Sequence, residues 1–221
     1  MKTRCLFLIL AGFVTLSSKI SLAQTAIPDN MGKPATTGFA YAEGSPFFAD
    51  EWNKGDVSLA NGTTFKDVSL KFNDLDNTLY YKSGSGKDMI FTEPVHEFTL
   101  IITKKDTARK HLFRNGYAQN NMPEAFYEVM SDGKVPLLKI DLKLSQESQN
   151  LDSPPIHRIV ESVQYYLLLD NRLVPMKKDR KFIFQHIGNK VAEMQAFITA
   201  NNIDVKNDDD LIKLLNYYNS I

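Results

Sequence analysis

The chain has 221 residues, of which 26 are basic, 26 are acidic and 43% are hydrophobic, and it contains a single cysteine, Cys5. This composition is typical of a folded globular protein and argues against both a disordered chain and a disulfide-stapled one. The balanced charge argues against the strongly basic surface of a nucleic-acid-binding protein.

The first 23 residues have the features of a secretory signal peptide. Lys2 and Arg4 give a positive start, residues 6–16 form an apolar run, and residues 21–23 supply small side chains for cleavage. The run is too short for a permanent membrane span. Cleavage after Ala23 leaves 198 residues without a thiol, with 23 basic and 26 acidic residues, a formal charge of −3. We therefore expect an exported protein, periplasmic, outer-membrane-associated or extracellular, with no transmembrane span.

Residues 24–38 are predicted to form a flexible leader. Pro28, Gly32, Pro34 and Gly38 lie there among small polar residues, and such a segment contains little apolar surface to bury.

Residues 39–178 are predicted to form a β-rich domain. Asn61-Gly62 is typical of a type I′ hairpin turn, and Phe65 falls out of phase with the residues that follow, which predicts a β-bulge near Lys66-Asp67. Closely spaced strands without intervening helices predict an antiparallel meander, arranged as a sandwich or an open barrel.

One predicted strand of this domain has a regular alternation of apolar and polar residues. Leu138, Ile140, Leu142 and Leu144 alternate with charged side chains, which predicts that all four leucine and isoleucine residues share one buried face.

Residues 179–221 change to a helical period. One apolar stripe runs from Phe184 to Ile198, on a single helix or on a pair broken near Gly188. Asn207 or Asp208 can cap a last helix. The predicted fold is therefore α+β, with short C-terminal helices packed on the sheet.

The sequence contains no complete catalytic or metal-binding motif, so we predict no catalytic residue, no metal ligand and no cofactor. Acid pairs such as Glu93 with Glu97, or Asp50 with Glu51, keep open a hydrolase that acts on envelope polymers.

A cluster of aromatic residues gives the candidate binding site. Phe47, Phe48 and Trp52 follow each other closely, and aromatic faces stack against sugars, peptides and hydrophobic ligands. The alternative interpretation is that these rings close the hydrophobic core.

Two segments resemble uncharacterised secreted proteins that are common in one group of Gram-negative bacteria. They are residues 55–73, with GDVSLANGT followed by FKDVSLKFN, and the helical tail at 208–220, DDDLIKLLNYYNS. The resemblance implies a periplasmic or outer-membrane-associated location, and it brings no known activity and no site residue.

We therefore predict a non-enzymatic binding or scaffolding module of the cell envelope, with an envelope protein or a glycan as its partner. The alternatives are the hydrolase and a carrier of a small apolar ligand, which would need a large cavity inside an open barrel.

Overall fold

The computed structural model of the chain describes residues 26–35, 44–117, 124–148 and 156–221, so the predicted signal peptide lies outside the described residues. The strands are β1 (Gly32–Pro34), β2 (Asn53–Leu59), β3 (Thr64–Asn73), β4 (Thr78–Lys82), β5 (Asp88–Phe91), β6 (Val95–Lys104), β7 (Thr107–Arg114), β8 (Tyr127–Ser131), β9 (Leu137–Ser148), β10 (Ile156–Leu169) and β11 (Arg172–Pro175). The helices are α1 (Arg180–His186), α2 (Val191–Asn201) and α3 (Asp208–Ser220).

The strands form one antiparallel sheet in the order β1-β5-β4-β3-β2-β6-β7-β8-β9-β10-β11. Most neighbours in the sheet are also neighbours along the chain, which confirms the predicted meander. The sheet is not closed, because β1 and β11 lie at its two edges and do not pair with each other.

The sheet curls around its first apolar core. Asn77, before β4, accepts a hydrogen bond from the amide of Phe126, before β8, although four strands separate β4 from β8 in the sheet. We call the side that carries Phe72, Phe98 and Phe113 the inner face, and the opposite side the outer face. The rings of these three residues and Phe126 pack with centroids 4.8–5.8 Å apart and fill the interior of the curl.

The predicted flexible leader is wrong for residues 26–35. Ile27 is fully buried in the first core, and β1 pairs in register with β5. The segment is ordered because it contributes an apolar side chain to the core and backbone groups to a sheet edge. The remaining leader positions lie outside the described residues.

The C-terminal helices cover the other end of the inner face. Leu211, Leu214 and Leu215 of α3 are fully buried in a second apolar core with Leu137 of β9 and Leu167 of β10. The helical segment is interrupted near Gly188, between α1 and α2. The side chain of Asn207 caps α3 by accepting hydrogen bonds from the amides of its first turn. Both features confirm the sequence prediction.

Two turn predictions have different outcomes. The register of β2 and β3 shifts by one residue at Lys66-Asp67, and Asp67 has φ of 52°, which confirms the bulge. The type I′ turn at Asn61-Gly62 is wrong, because only Gly62 has positive φ and the amide of Leu59 bonds to the carbonyl of Thr63 across a three-residue loop. The positive φ at one residue alone fits a type I turn followed by a left-handed residue.

The predicted buried face of β9 is also wrong beyond Ile140. Leu142 and Leu144 are 36% and 62% exposed, whereas Lys143 between them is only 8% exposed. Pairing with β8 ends at Lys139, so β9 and β10 continue as a two-stranded ribbon. Residues 44–48 cover the inner side of this ribbon. Lys143 is therefore buried beneath them, whereas Leu142 and Leu144 on the other side are exposed.

Candidate functional site

The predicted aromatic residues lie on a segment that crosses the end of β3. Phe47 forms an isolated antiparallel bridge with Asn73, and the amide of Phe48 donates to the carbonyl of Phe72 at 3.0 Å. Because successive residues of an extended chain point to opposite faces of a sheet, Phe47 and Phe48 lie on different faces.

Phe48 faces the inner core. Its ring meets those of His111 and Phe113 edge to face, with centroids 5.1 and 5.0 Å away. For Phe48, this position agrees with the interpretation that the aromatic rings close the hydrophobic core. The other two predicted residues, Phe47 and Trp52, lie on the outer face.

We call the rings of Phe47, Trp52 and Tyr80, together with the ammonium groups of Lys71 and Lys82, the aromatic strip. All three rings are half-buried, and the centroids of Phe47 and Tyr80 are 6.1 Å apart in an edge-on arrangement. Lys71 pairs with Tyr80 across β3 and β4, and Lys82 lies two residues further along β4 on the same face. Tyr80 and both lysines are not predicted from the sequence, because only the pairing of β3 and β4 brings them beside the aromatic residues.

The lysines of the aromatic strip lie over the rings. The nitrogen of Lys71 is 3.9 Å from the ring centroid of Phe47, and that of Lys82 is 4.6 Å from the ring of Trp52. Lys82 also forms an ion pair with Asp88. The strip therefore offers apolar ring surface with positive charge directly beside it.

The backbone under the aromatic strip is held from inside by a buried lysine. Lys143 donates to the carbonyl oxygens of Ser45 at 3.1 Å and Phe47 at 2.6 Å, and it forms ion pairs with Asp74 at 3.5 Å and Glu161 at 3.2 Å. The amide of Asp74 donates to the carbonyl of Pro46 between them. We call this arrangement the Lys143 clamp, and it fixes the chain direction at Phe47.

The Lys143 clamp continues into a buried ion-pair cluster on the inner face. Glu128 is 2.6 Å from His111 and 3.6 Å from Lys139, and Lys139 is 3.1 Å from Asp141. Direct cross-strand pairing places Glu128 and Lys139 between Phe113 of the first core and Tyr165, which packs against the second core. The cluster therefore lies between the first and the second apolar core.

Two carboxylates of this region are incompletely paired. Oδ2 of Asp74 and Oδ1 of Asp141 are buried without a hydrogen bond, although the Asp74 oxygen is within ion-pair distance of Lys143. The pKa of Asp74 is raised from 3.8 to about 7, chiefly by burial, while the charge of Lys143 acts to lower it and the charge of Asp141 acts to raise it. Asp74 can therefore gain or lose a proton near neutral pH.

The neighbouring ion pair of Glu128 and Lys139 has pKa values that are shifted in favour of the charged forms. Burial acts to raise the pKa of Glu128, but the hydrogen bond and charge of His111, with the charge of Lys139, hold it below its usual value. Burial acts to lower the pKa of Lys139, and the carboxylates of Asp141 and Glu128 keep it above its usual value. Both groups stay charged around neutral pH and stabilise each other.

One member of each acid pair considered for hydrolysis is engaged in a side-chain hydrogen bond. Glu97 accepts a hydrogen bond from Arg114 at 2.7 Å, and Asp50 accepts from the hydroxyl of Ser45. Among the described residues, no three histidine, cysteine or acidic side chains come together as a metal-binding group. Within the same ranges, no helix has both the length and the apolarity to cross a bilayer.

Comparisons of this chain with protein-family models, with curated proteins and with solved structures gave no match.

Proposed function

We propose that this chain is a non-enzymatic binding module of the bacterial cell envelope, exported by its N-terminal signal peptide, and that the aromatic strip contacts its ligand. The ligand class that fits best is a glycan carrying anionic groups. Sugar rings present apolar faces that stack on aromatic side chains, and carboxylate or phosphate substituents pair with lysine.

One observation carries this proposal. Phe47 and Trp52 lie on the same outer face of the sheet, and each ring has a lysine nitrogen within 5 Å of its centroid. A polymer that lies along this face would meet ring surface and positive charge in alternation. The Lys143 clamp supports the proposal further, because it reduces the freedom that Phe47 would lose on binding.

Neither alternative has comparable support. For the hydrolase, Glu97, the predicted partner of Glu93, is bound to Arg114 at 2.7 Å, and the side chain of Asp74, the most strongly perturbed acid, is only 5% exposed. A carrier needs a cavity inside the curl, and that space holds Phe72, Phe98 and Phe126 in mutual contact.

The test is binding of the mature chain to a defined acidic oligosaccharide, such as a hexamer of galacturonic acid, by calorimetry at low salt. Trp52→Ala and Phe47→Ala should each weaken binding about tenfold, and Lys71→Gln should weaken it and reduce its salt dependence. Tyr217→Ala is the matched control, since Tyr217 stacks on Phe197 between α2 and α3.

The proposal fails if the acidic hexamer binds no better than a neutral cello-oligosaccharide, or if the Tyr217→Ala variant loses as much affinity as Trp52→Ala. Fractionation of cells tests the location separately. We expect the chain in the envelope fraction with its mature N-terminus at Gln24.

A further inference from the structure

A groove of about 410 Å³ opens at one end of the curled sheet, between β5 and the residues that precede β8. Its floor includes Leu79 and Phe126, which are buried, and Phe91, which is half-buried, and its rim carries Glu93, Glu124 and Lys33. The volume falls within the range of small-molecule sites, which combine an apolar lining with a few polar groups.

The walls of the groove are fixed by side-chain hydrogen bonds to backbone. Asn77 accepts from the amide of Phe126 at 2.9 Å and donates to the carbonyl of Glu124 at 3.4 Å. On the other side, Asn115 donates to the carbonyl of Val95 at 2.6 Å. These bonds fix the backbone on both sides of the groove, so the groove is formed before any ligand arrives.

The rim of the groove carries a net negative charge. Glu93 and Glu124 contribute two carboxylates and Lys33 one ammonium group, and the described residues supply no hydrogen-bond or ion-pair partner for these three side chains. The acids of the buried cluster pair with His111, Lys139 or Lys143, and Asp88 pairs with Lys82, so the two unengaged carboxylates of the groove differ from these acids.

We infer that this groove is a second binding site, which takes a small organic cation with an apolar body, such as an amine carried on an aromatic or aliphatic group. The apolar body would pack on Phe91, the half-buried ring of the lining, and the ammonium group would pair with Glu93 and Glu124. Charge-assisted hydrogen bonds of this kind are stronger than neutral ones. The inference does not depend on the proposed function, because the two sites select ligands of opposite charge.

The test is titration of the isotopically labelled mature chain with 2-phenylethylamine, followed by amide chemical shifts. We expect saturable shifts at Phe91, Thr92 and Phe126, with a dissociation constant in the millimolar range. The anion 3-phenylpropanoate, which has a similar body, should bind about tenfold more weakly or not at all.

Charge-changing variants test whether the carboxylates of the rim, rather than the fold in general, determine the affinity for the amine. The double variant Glu93→Gln/Glu124→Gln should bind the amine about tenfold more weakly, and Lys33→Gln should bind it more tightly, because a repelling charge is removed. Glu193→Gln is the matched control on the exposed surface of α2 and should leave affinity unchanged. Absence of saturable shifts at the groove, equal binding of the anion, or unchanged affinity in the double variant would overturn the inference.

Discussion

The ammonium nitrogen of Lys143 lies 2.6 Å from the carbonyl oxygen of Phe47, although 96 positions separate the two residues along the chain. The same nitrogen forms ion pairs with Asp74 and Glu161. A buried charge on the inner face of the ribbon therefore determines where an aromatic ring is placed on the outer face. This relationship connects the stability of the fold with the geometry of the proposed binding surface.

Removal of the lysine charge should destabilise the protein strongly. Lys143→Met keeps most of the side-chain volume but leaves the carbonyls of Ser45 and Phe47 without their donor and the carboxylate of Asp74 without its ion-pair partner. We expect a loss of about 3 kcal/mol in the free energy of unfolding, measured by urea denaturation at pH 7. Lys134→Met, at an exposed position, is the control and should change it by less than about 0.5 kcal/mol. A loss of similar size in both variants would contradict the role of the Lys143 clamp.

Asp74 should make the protein less stable as the pH rises from about 4 to about 8. Its pKa is about 7 in the folded chain and 3.8 as the ordinary value, so between these limits the folded state binds more protons than the unfolded state. The stabilisation that the protonated Asp74 contributes to the folded state is complete below pH 3.8 and is lost as pH rises through 7. From pH 4 to pH 8 the wild type should lose up to about 4 kcal/mol relative to Asp74→Asn. Parallel pH profiles of the two proteins, from urea unfolding at constant ionic strength, would refute this assignment.

Phe47 and Phe48 should respond differently to truncation because they lie on opposite faces. Phe48→Ala removes a ring that packs on His111 and Phe113 and should cost about 2 kcal/mol of stability. Phe47→Ala removes a ring that contacts Tyr80 and Lys71 on the outer face and should cost less than about 1 kcal/mol. Thermal unfolding of the two variants, side by side, measures the difference. The opposite order would mean that Phe47, and not Phe48, belongs to the core.

Local sequence signals were sufficient where the structure depends on residues close together in the chain. The bulge at Asp67 follows from a phase change within one strand, and the cap at Asn207 follows from a polar residue before an apolar helical stripe. The burial of Lys143 depends instead on residues 44–48, which are almost one hundred positions away. Alternation along β9 carries no information about which segment covers that strand, so the clamp could not be predicted from it.

The same limit applies to the aromatic strip. Phe47 and Trp52 could be selected because aromatic residues are dense in that part of the sequence, and Phe48 was selected with them for the same reason. The separation of Phe47 from Phe48 requires the bridge to Asn73, which sets the face that each ring occupies. The lysines over the rings require the register of β3 and β4.

The turn between β6 and β7 should be improved by glycine. Lys105 and Asp106 both have positive φ, at 46° and 64°, as a two-residue type I′ turn requires. A lysine side chain is strained in this region, so Lys105→Gly should stabilise the protein by about 1 kcal/mol. Lys104→Gly, one residue earlier in the extended strand, should instead destabilise it by about 0.5–1 kcal/mol. Urea denaturation of both variants checks the pair, and a loss of stability in both would contradict the turn assignment.

Gly55 should be the least replaceable glycine of the sheet. A Cβ atom at this position would lie 1.8 Å from the carbonyl oxygen of Thr99 on β6, which is backbone and cannot rotate away. Gly55→Ala must therefore push β2 and β6 apart, and we expect a loss of at least about 3 kcal/mol or failure to fold. Gly84→Ala is the matched control, because the nearest atom, the carbonyl oxygen of Ile27, would be 3.8 Å away and φ is not positive there. Expression as soluble protein and urea denaturation compare the two variants, and a well-folded Gly55→Ala protein would show that β2 and β6 do not approach as closely as described.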